Sequence, residues 1–322
     1  MNIFRTLTAA VAVVTLPVLA QAEPLTFAWT PNPQTPQVDI ALAKGYFEEA
    51  GVEVEMVSFP SGREGFEALL GGQVDVAFMA EFPAATGAVT GQDFAIVADL
   101  ARYTGSRIIG SAKAGDFASP ADLAGKRIGT TLGTNVNYFL SEVLKSAGVE
   151  AEIVNASPVD LVSALSRGDV DAIVPFPTFY AAAETALGAD YRELRAPGYQ
   201  PHFVLAATPE MTGEKSSTLK AFLGALAKAD ADVNAAPEAA MNAVSASMQG
   251  AMSPEALAVM WQDVDLGLEL SPGLVTLLAS EGAWIVAQGV VNADAPSEAT
   301  IMEHVDATAL KAVAPDAVTL AD

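Results

Sequence analysis

The sequence predicts an α/β protein of two similar lobes, on the strength of an internal repeat, short apolar strand patterns and a helical C-terminal region. Residues 50–57 (AGVEVEMV) match residues 147–154 (AGVEAEIV), and residues 68–75 (ALLGGQVD) match residues 164–171 (ALSRGDVD). Each copy has the pattern of a strand, a helix, a glycine turn and a buried strand. We expect two α/β lobes of one design, although βα units can also look alike by chance.

Apolar runs and turn signals place the elements in order along the chain. Strands are predicted at residues 25–30, 52–58, 74–79, 94–100, 106–114 and 202–208. A helix over 62–71 begins with Ser61 and Glu64, the pattern of a capping box. Another begins at Thr134 or Asn135, after which apolar residues recur at helical spacing. Beyond residue 208 the chain is Ala-rich and predicts successive helices.

The repeat and the strand order predict how the chain divides. Lobe one comprises residues 23–108 and 203–322, and lobe two comprises residues 109–202. Two crossing strands join the lobes, and the helical C-terminal tail packs on lobe one. Ligands of open α/β sheets bind at the carboxyl ends of strands, so a cleft between the lobes is the expected site.

The N-terminal residues 1–22 have the pattern of a secretory signal. Arg5 supplies the charged start, an apolar segment follows, and Ala20-Gln21-Ala22 predicts cleavage after Ala22. The chain contains no cysteine, so neither lipid anchoring through an N-terminal cysteine nor disulfide stabilisation is expected. We expect an exported, periplasmic protein that is monomeric.

Composition and motifs exclude several functions. The formal net charge of −23 repels phosphate backbones, so nucleic acid is not an expected partner. Two distant histidines and the lack of cysteine predict no metal site, and neither a P-loop nor a G-x-S-x-G motif occurs. We predict no cofactor and no catalytic residue.

Two loops of lobe one offer neutral polar groups, an aromatic ring and a cation. Residues 29–36 are Pro-rich and supply Trp29, Asn32, Gln34 and Thr35, although such a loop can also be only a stiff connection. Residues 59–63 end in Ser61, Gly62 and Arg63. A cation at a helix N-terminus opposes the helix dipole, and a bound anion there would remove the penalty. A solvated arginine is the alternative.

The remaining candidates follow the other strands. Glu81, followed by Phe82, could bind an ammonium group or could cap a helix that begins at Pro83. Free N–H groups at the start of the helix at Thr134 and Asn135 predict an anion site, or only a well-capped helix. Further candidates are Phe176 and Thr178 in an aromatic loop and His202 on the returning strand.

These segments resemble the type II periplasmic solute-binding proteins of ABC importers, in the nitrate, sulfonate and taurine branch. Residues 57–85, 125–149 and 167–183 are similar to aliphatic-sulfonate-binding proteins, although Arg63 replaces a small residue or proline. Residues 29–55 (WTPNPQTPQVDIALAKGYFEEAGVEVE) are closer to binders of thiamine pyrimidine precursors. The resemblance covers nearly the whole chain after the signal.

The resemblance implies a function and a partner. It implies capture of a small anionic or zwitterionic ligand, such as an organosulfonate or taurine, and delivery to a membrane permease with a cytoplasmic ATPase. The anionic head would meet Ser61, Gly62, Thr134 and Asn135, while Glu81 and the aromatic residues would meet the rest. Alternatives are a pyrimidine precursor, nitrate or a carboxylate. An enzyme related to pyrimidine synthases is a further alternative, which lacks support because the iron-binding cysteines are absent.

Overall fold

The computed structural model describes residues 24–289 and 291–320, so the predicted signal 1–22 lies outside the described residues. The strands are β1 (Leu25–Trp29), β2 (Val54–Ser58), β3 (Val76–Ala80), β4 (Ala95–Tyr103), β5 (Arg107–Ser111), β6 (Arg127–Thr130), β7 (Glu152–Asn155), β8 (Ala172–Val174), β9 (Tyr191–Arg195), β10 (His202–Ala207) and β11 (Val264–Glu269). They form a six-stranded sheet of order β11-β4-β10-β3-β1-β2 and a five-stranded sheet of order β7-β6-β8-β5-β9.

Helices cover both sheets. They are α1 (Pro36–Ala43), α2 (Tyr46–Glu49), α3 (Gly62–Leu70), α4 (Phe82–Val89), α5 (Asn135–Ala147), α6 (Leu161–Arg167), α7 (Tyr180–Leu187), α8 (Pro209–Thr212), α9 (Ser216–Ala235), α10 (Pro237–Ser247), α11 (Pro254–Met260), α12 (Pro272–Ala287), α13 (Glu298–Met302) and α14 (Thr308–Val313). Among the described residues, no helix is both long and apolar enough to cross a membrane.

The two sheets share one design, which confirms the predicted fold class. In the first sheet β1 lies between β2 and β3 and is parallel to both, and in the second sheet β6 lies likewise between β7 and β8. The next strand in each sheet is antiparallel: β10 beside β3, and β5 beside β8. The repeated sequence segments therefore form corresponding strands and helices.

The repeated Val-Asp pair has the same structural role in both sheets. The Asp75 carboxylate accepts a hydrogen bond from the Thr26 N–H at 2.8 Å, where β1 begins. The Asp171 carboxylate accepts one from the Arg127 N–H, also at 2.8 Å, where β6 begins. Each aspartate satisfies a backbone donor at the start of the central parallel strand, which explains why this pair recurs.

The chain crosses between the sheets twice, through residues 104–106 and 196–201. Each crossing is a short segment between two strands. The strands predicted at 106–114 and 202–208 therefore do not span both lobes, because each lies in one sheet. The crossings touch where the Tyr103 N–H donates to the Pro201 carbonyl at 3.0 Å. Two adjacent short segments of this kind are suited to act as a hinge.

The C-terminal helices pack on the first sheet, as predicted. The Phe222 ring on α9 stacks on Phe47 at 5.1 Å between centroids and meets Phe27 edge-on at 5.3 Å. β11 was not predicted; it pairs with the edge of β4. Residues 264–269 alternate apolar and polar side chains, and that pattern indicates a half-buried strand rather than the end of a helix.

Candidate binding site

A cavity of about 290 Å³ lies between the two sheets. The lobe around the first sheet supplies one wall and the lobe around the second sheet supplies the other. The two crossings contribute Ser106 and Pro201, and Tyr103 at the end of β4 lies beside them. Eight of the fourteen predicted site residues line it: Asn32, Ser61, Gly62, Arg63, Thr134, Asn135, Phe176 and Thr178. The other six, Trp29, Gln34, Thr35, Glu81, Phe82 and His202, do not.

The start of α3 forms one side of the cavity. The Ser61 hydroxyl accepts a hydrogen bond from the Glu64 N–H at 3.4 Å, as the predicted cap requires. The N–H groups of Gly62 and Arg63 belong to the first turn, where no carbonyl within the helix can accept them. They are available to an anion, which the helix dipole also favours.

Gly62 allows α3 to start directly against the neighbouring strand. A Cβ atom at this position would stand 2.6 Å from Met79 Cα, so a side chain cannot be accommodated unless the helix moves. The glycine therefore sets the position of the N–H groups that face the cavity.

The start of α5 forms the opposite side. The Thr134 side chain does not cap the helix, because its hydroxyl donates to the Thr131 carbonyl at 2.6 Å. Asn135 is only 5% exposed and lines the cavity, so its side-chain amide is placed where it can bind a polar ligand or water.

Arg63 extends across the cleft between these two helix starts. Its Nη1 donates to the Glu67 carboxylate at 2.8 Å on the solvent side. Its Nε is buried and has no acceptor among the described residues. The side chain reaches the loop before α5, where a Cβ on Gly133 would lie 3.2 Å from Arg63 Cδ. Arg63 and the two helix starts thus line the same cavity.

The Pro-rich loop after β1 contributes only in part. Asn32 lines the cavity, and its Oδ1 accepts from the Gln34 N–H at 2.8 Å. Trp29 is a core residue instead, with its ring 4.6 Å from that of Phe78. Gln34 and Thr35 are fully buried away from the cavity, and their side-chain polar atoms have no partner within the part of the chain that the structure describes.

Glu81 and Phe82 take part in a buried contact between the lobes, which corrects their prediction as cavity residues. The Glu81 carboxylate accepts hydrogen bonds from the Tyr199 hydroxyl and, at 2.9 Å, from the His202 N–H. The Phe82 ring on α4 lies 5.8 Å from that of Tyr138 on α5. Because Glu81 is fully buried and already has two donors, it does not face a ligand in the cavity.

His202 is also turned away from the cavity. Its Nδ1 lies 2.7 Å from the Asp99 carboxylate. Burial lowers the pKa of His202, but the hydrogen bond and charge of Asp99 outweigh it, so the net shift is upward. Glu269 completes a trio whose ligand atoms lie within 4.8 Å of one another. The Arg102 guanidinium lies 3.4 Å from Glu269 and 3.7 Å from Asp99. Its positive charge balances the negative charge of these carboxylates, so we propose no metal site here.

Phe59, Tyr103 and Ser106 are among the lining residues that were not predicted as site residues. Phe59 is the first residue of the predicted loop 59–63, so its place in the loop that contains Ser61 and Arg63 was an available signal. Tyr103 and Ser106 lie on either side of residues 104–105, and only the sheet assignment shows that these residues cross between lobes.

These features define a two-lobed periplasmic-binding-protein fold with an interlobe cavity. Residues 32–240 match the family model described as NMT1/THI5 like, and the chain belongs to this family. The predicted resemblance to solute-binding proteins is thereby confirmed.

Individual proteins agree with this assignment. The chain is 30% identical over 156 residues to a taurine-binding periplasmic protein of Escherichia coli, a match that covers 47% of this chain and 48% of the relative. It is 25% identical over 244 residues to a putative thiamine biosynthesis protein of Haemophilus influenzae, covering 73% and 76%. The alkanesulfonate-binding protein of Xanthomonas axonopodis pv. citri, bound to MOPS, has the same fold: the TM-score is 0.73 at 18% identity, over 90% of this chain and 100% of that one.

Proposed function

We propose that this protein is the solute-binding component of an ABC importer and captures a small organic anion in the interlobe cavity. One observation carries the proposal: Arg63 and the N-terminal turns of α3 and α5 line the same cavity, and Arg63 Nε has no acceptor among the described residues. An oxyanion placed there accepts hydrogen bonds from both lobes at once. Binding therefore favours the arrangement in which the lobes are close together.

The negative charge of the whole chain does not prevent anion binding at this site. The net charge of −23 is spread over the molecule, and charges further away than about 8 Å are largely screened at physiological ionic strength. Arg63 and the helix starts act at contact distance in a partly buried site, where screening is weaker. Local donors therefore outweigh the distant field.

An organosulfonate is the ligand class that we favour. The relative from Escherichia coli is named a taurine-binding protein, and the structural neighbour from Xanthomonas is named an alkanesulfonate-binding protein. The match to the taurine-binding relative spans about half of its length, so the ligand is a proposal for this chain. Nitrate and carboxylates share the oxyanion chemistry and belong in the same binding panel.

A thiamine pyrimidine precursor is the second candidate. The putative thiamine biosynthesis relative matches over 76% of its length, and the loop that suggests this branch contributes Thr30, Pro31 and Asn32 to the cavity. A neutral aminopyrimidine would not need Arg63, so the Arg63 variant described below distinguishes the two candidates.

Export, the membrane partner and the oligomeric state are parts of the same proposal. We propose cleavage after Ala22, a periplasmic location, and delivery of the ligand by a monomer to a permease with its ATPase. We place the lobes at residues 23–108 with 203–322 and at residues 109–202; the sheets differ from this division only at Arg107, Ile108 and His202. Binding without chemical change is expected, and mass spectrometry of ligand recovered after incubation should return it unaltered; a converted product would support an enzyme.

Thermal melting and calorimetry with a ligand panel test the proposal. A ligand that binds only the folded state adds about 2.7 kcal/mol at a hundredfold excess over Kd, so an organosulfonate should raise Tm. Arg63→Gln removes a charge-assisted hydrogen bond of roughly 1.5–3 kcal/mol and should weaken sulfonate binding about 10- to 100-fold.

Arg167→Gln is the matched control, because Arg167 is an exposed cation that pairs with Asp169 away from the cavity. It should leave the affinity unchanged. A panel in which an aminopyrimidine raises Tm and no anion does so would overturn the sulfonate assignment.

A further inference from the structure

One charged residue and several aromatic residues line the cavity. Among the described residues that line it, Arg63 alone has a formal charge. The carboxylates near it are occupied elsewhere: Glu67 pairs with Arg63 on the solvent side, and Glu64 hydrogen-bonds with Ser61. Glu81 is enclosed by Tyr199 and the backbone of His202. No carboxylate of the described wall is available to an ammonium group.

Three rings on this wall are not part of the aromatic core. Phe59 lies on the first-lobe side, while Phe176 and Phe179 lie on the second-lobe side, and all three are half-buried. None of them contacts another aromatic ring among the described residues, whereas the buried rings such as Trp29 and Phe78 are paired. They line the cavity from both sides of the cleft, so a ligand that enters it meets aromatic side chains on each side.

We infer that the site takes an oxyanion attached to an uncharged, flat, apolar body, an arenesulfonate in its simplest form, in preference to a zwitterion such as taurine. This inference rests on the proposed function, because it takes Arg63 and the helix starts as the anion site. The cavity of about 290 Å³ holds the volume of about ten water molecules, enough for one aromatic ring with its anionic group.

The physical reasons concern the two ends of the ligand. A ring that enters between Phe59 and the pair Phe176 and Phe179 loses apolar surface to water and gains ring contacts. The ammonium of taurine would be desolvated on the same wall with no carboxylate to receive it, and an unpaired buried charge is costly. Taurine and an arenesulfonate carry the same sulfonate group, so the rest of the ligand determines which of them binds more tightly.

Calorimetry with three sulfonates tests this inference at about 0.15 M salt, where the field of the whole chain is screened. Ethanesulfonate and taurine differ by the ammonium group, and ethanesulfonate and benzenesulfonate differ by the ring. We expect benzenesulfonate to bind at least about tenfold more tightly than ethanesulfonate, and taurine at least about tenfold more weakly. Taurine binding equal to or tighter than ethanesulfonate, or benzenesulfonate binding no tighter than ethanesulfonate, would overturn the inference while leaving the proposed function intact.

Substitutions of the phenylalanines test whether these rings cause the preference for benzenesulfonate. Phe176→Leu and Phe179→Leu should weaken benzenesulfonate binding severalfold more than ethanesulfonate binding, and so reduce the ratio of the two affinities. Tyr46→Leu is the control, since Tyr46 is a half-buried ring beside Lys228 and outside the cavity. It should leave the ratio unchanged, and a ratio unchanged in the Phe variants as well would contradict the inference. If no sulfonate binds the wild-type protein at any concentration, the proposed function itself fails and the inference fails with it.

Discussion

The Arg63 side chain packs directly against Gly133 across the cleft between the two sheets. A Cβ atom on Gly133 would stand 3.2 Å from Arg63 Cδ, and the backbone of Gly133 has a φ of +73°. The glycine therefore serves two purposes: it adopts a left-handed conformation before α5, and it leaves room for the arginine. This contact joins the cation from one lobe to the helix start of the other.

Gly133→Ala should accordingly weaken both stability and binding. The left-handed conformation costs a non-glycine residue roughly 1 kcal/mol, and the new methyl group displaces Arg63 from the start of α5. Urea unfolding measures the first effect and sulfonate calorimetry the second. Gly148→Ala is the matched control: its φ is +64°, but nothing lies within 4 Å of the added Cβ. It should show a similar loss of stability with normal affinity, and equal affinities in the two variants would contradict the role of Arg63.

Gly62→Ala should be more destabilising than an ordinary surface substitution. Its methyl group would lie 2.6 Å from Met79 Cα, and relief of such overpacking costs about 1–3 kcal/mol. The displaced start of α3 should also bind sulfonate more weakly. Gly71→Ala, at the other end of the same helix, meets nothing closer than 3.4 Å and should be nearly neutral. Denaturant unfolding of both variants compares them, and similar losses would refute the close-packing explanation.

Glu281 should make the protein less stable as the pH rises. Burial raises the pKa of Glu281 well above its ordinary value of 4.5, and the charge of Glu81 raises it further. Above that ordinary value the folded state holds a proton that the unfolded state has lost. The free energy of unfolding therefore falls by up to about 1.4 kcal/mol per pH unit until the folded-state pKa is reached.

Glu281→Gln removes this titration and keeps the side-chain shape, with a polar group near the Tyr199 oxygen, which lies 3.3 Å from Glu281 Oε1. Urea unfolding at about pH 5 and at about pH 8 should show the variant gaining stability relative to wild type as the pH rises. Glu184→Gln, at an exposed position on α7, should keep the wild-type slope. If the Glu281→Gln variant has the same slope as wild type, this carboxyl does not titrate as proposed.

The paired aspartates should contribute equally to the two lobes. Asp75→Ala and Asp171→Ala each leave a backbone N–H at a strand start without its acceptor, and such a loss costs about 1–3 kcal/mol. Both variants should lose stability by similar amounts in denaturant unfolding. A large loss at one position and none at the other would show that the repeat is only a resemblance of sequence.

Much of this architecture follows from local patterns in the sequence. The repeat reveals the corresponding strands because Asp75 and Asp171 each accept a backbone hydrogen bond at the start of the central parallel strand. The helix cap at Ser61 depends only on neighbouring residues. The start of α5 is equally local. Residues that act within one turn or one strand are well predicted because their partners are close in the chain.

The errors concern residues whose partners are distant. Glu81 follows an apolar strand, as a ligand-binding acid would, but its carboxylate accepts a hydrogen bond from the Tyr199 hydroxyl on the second crossing. His202 lies on the returning strand as expected, yet Asp99 of the adjacent strand draws its ring away from the cavity. The direction in which such side chains point is decided by tertiary contacts, which the sequence pattern does not contain.

The most direct test of the anion site is an NMR titration of the backbone amides with benzenesulfonate. The N–H groups of Gly62 and Arg63 on α3 and of Asn135 and Val136 on α5 should shift together, with one saturation curve. Gly45 and Gly51, which line a separate surface groove, should remain unaffected. Saturable shifts confined to one helix start, or centred on that groove, would contradict the claim that both lobes hold the anion.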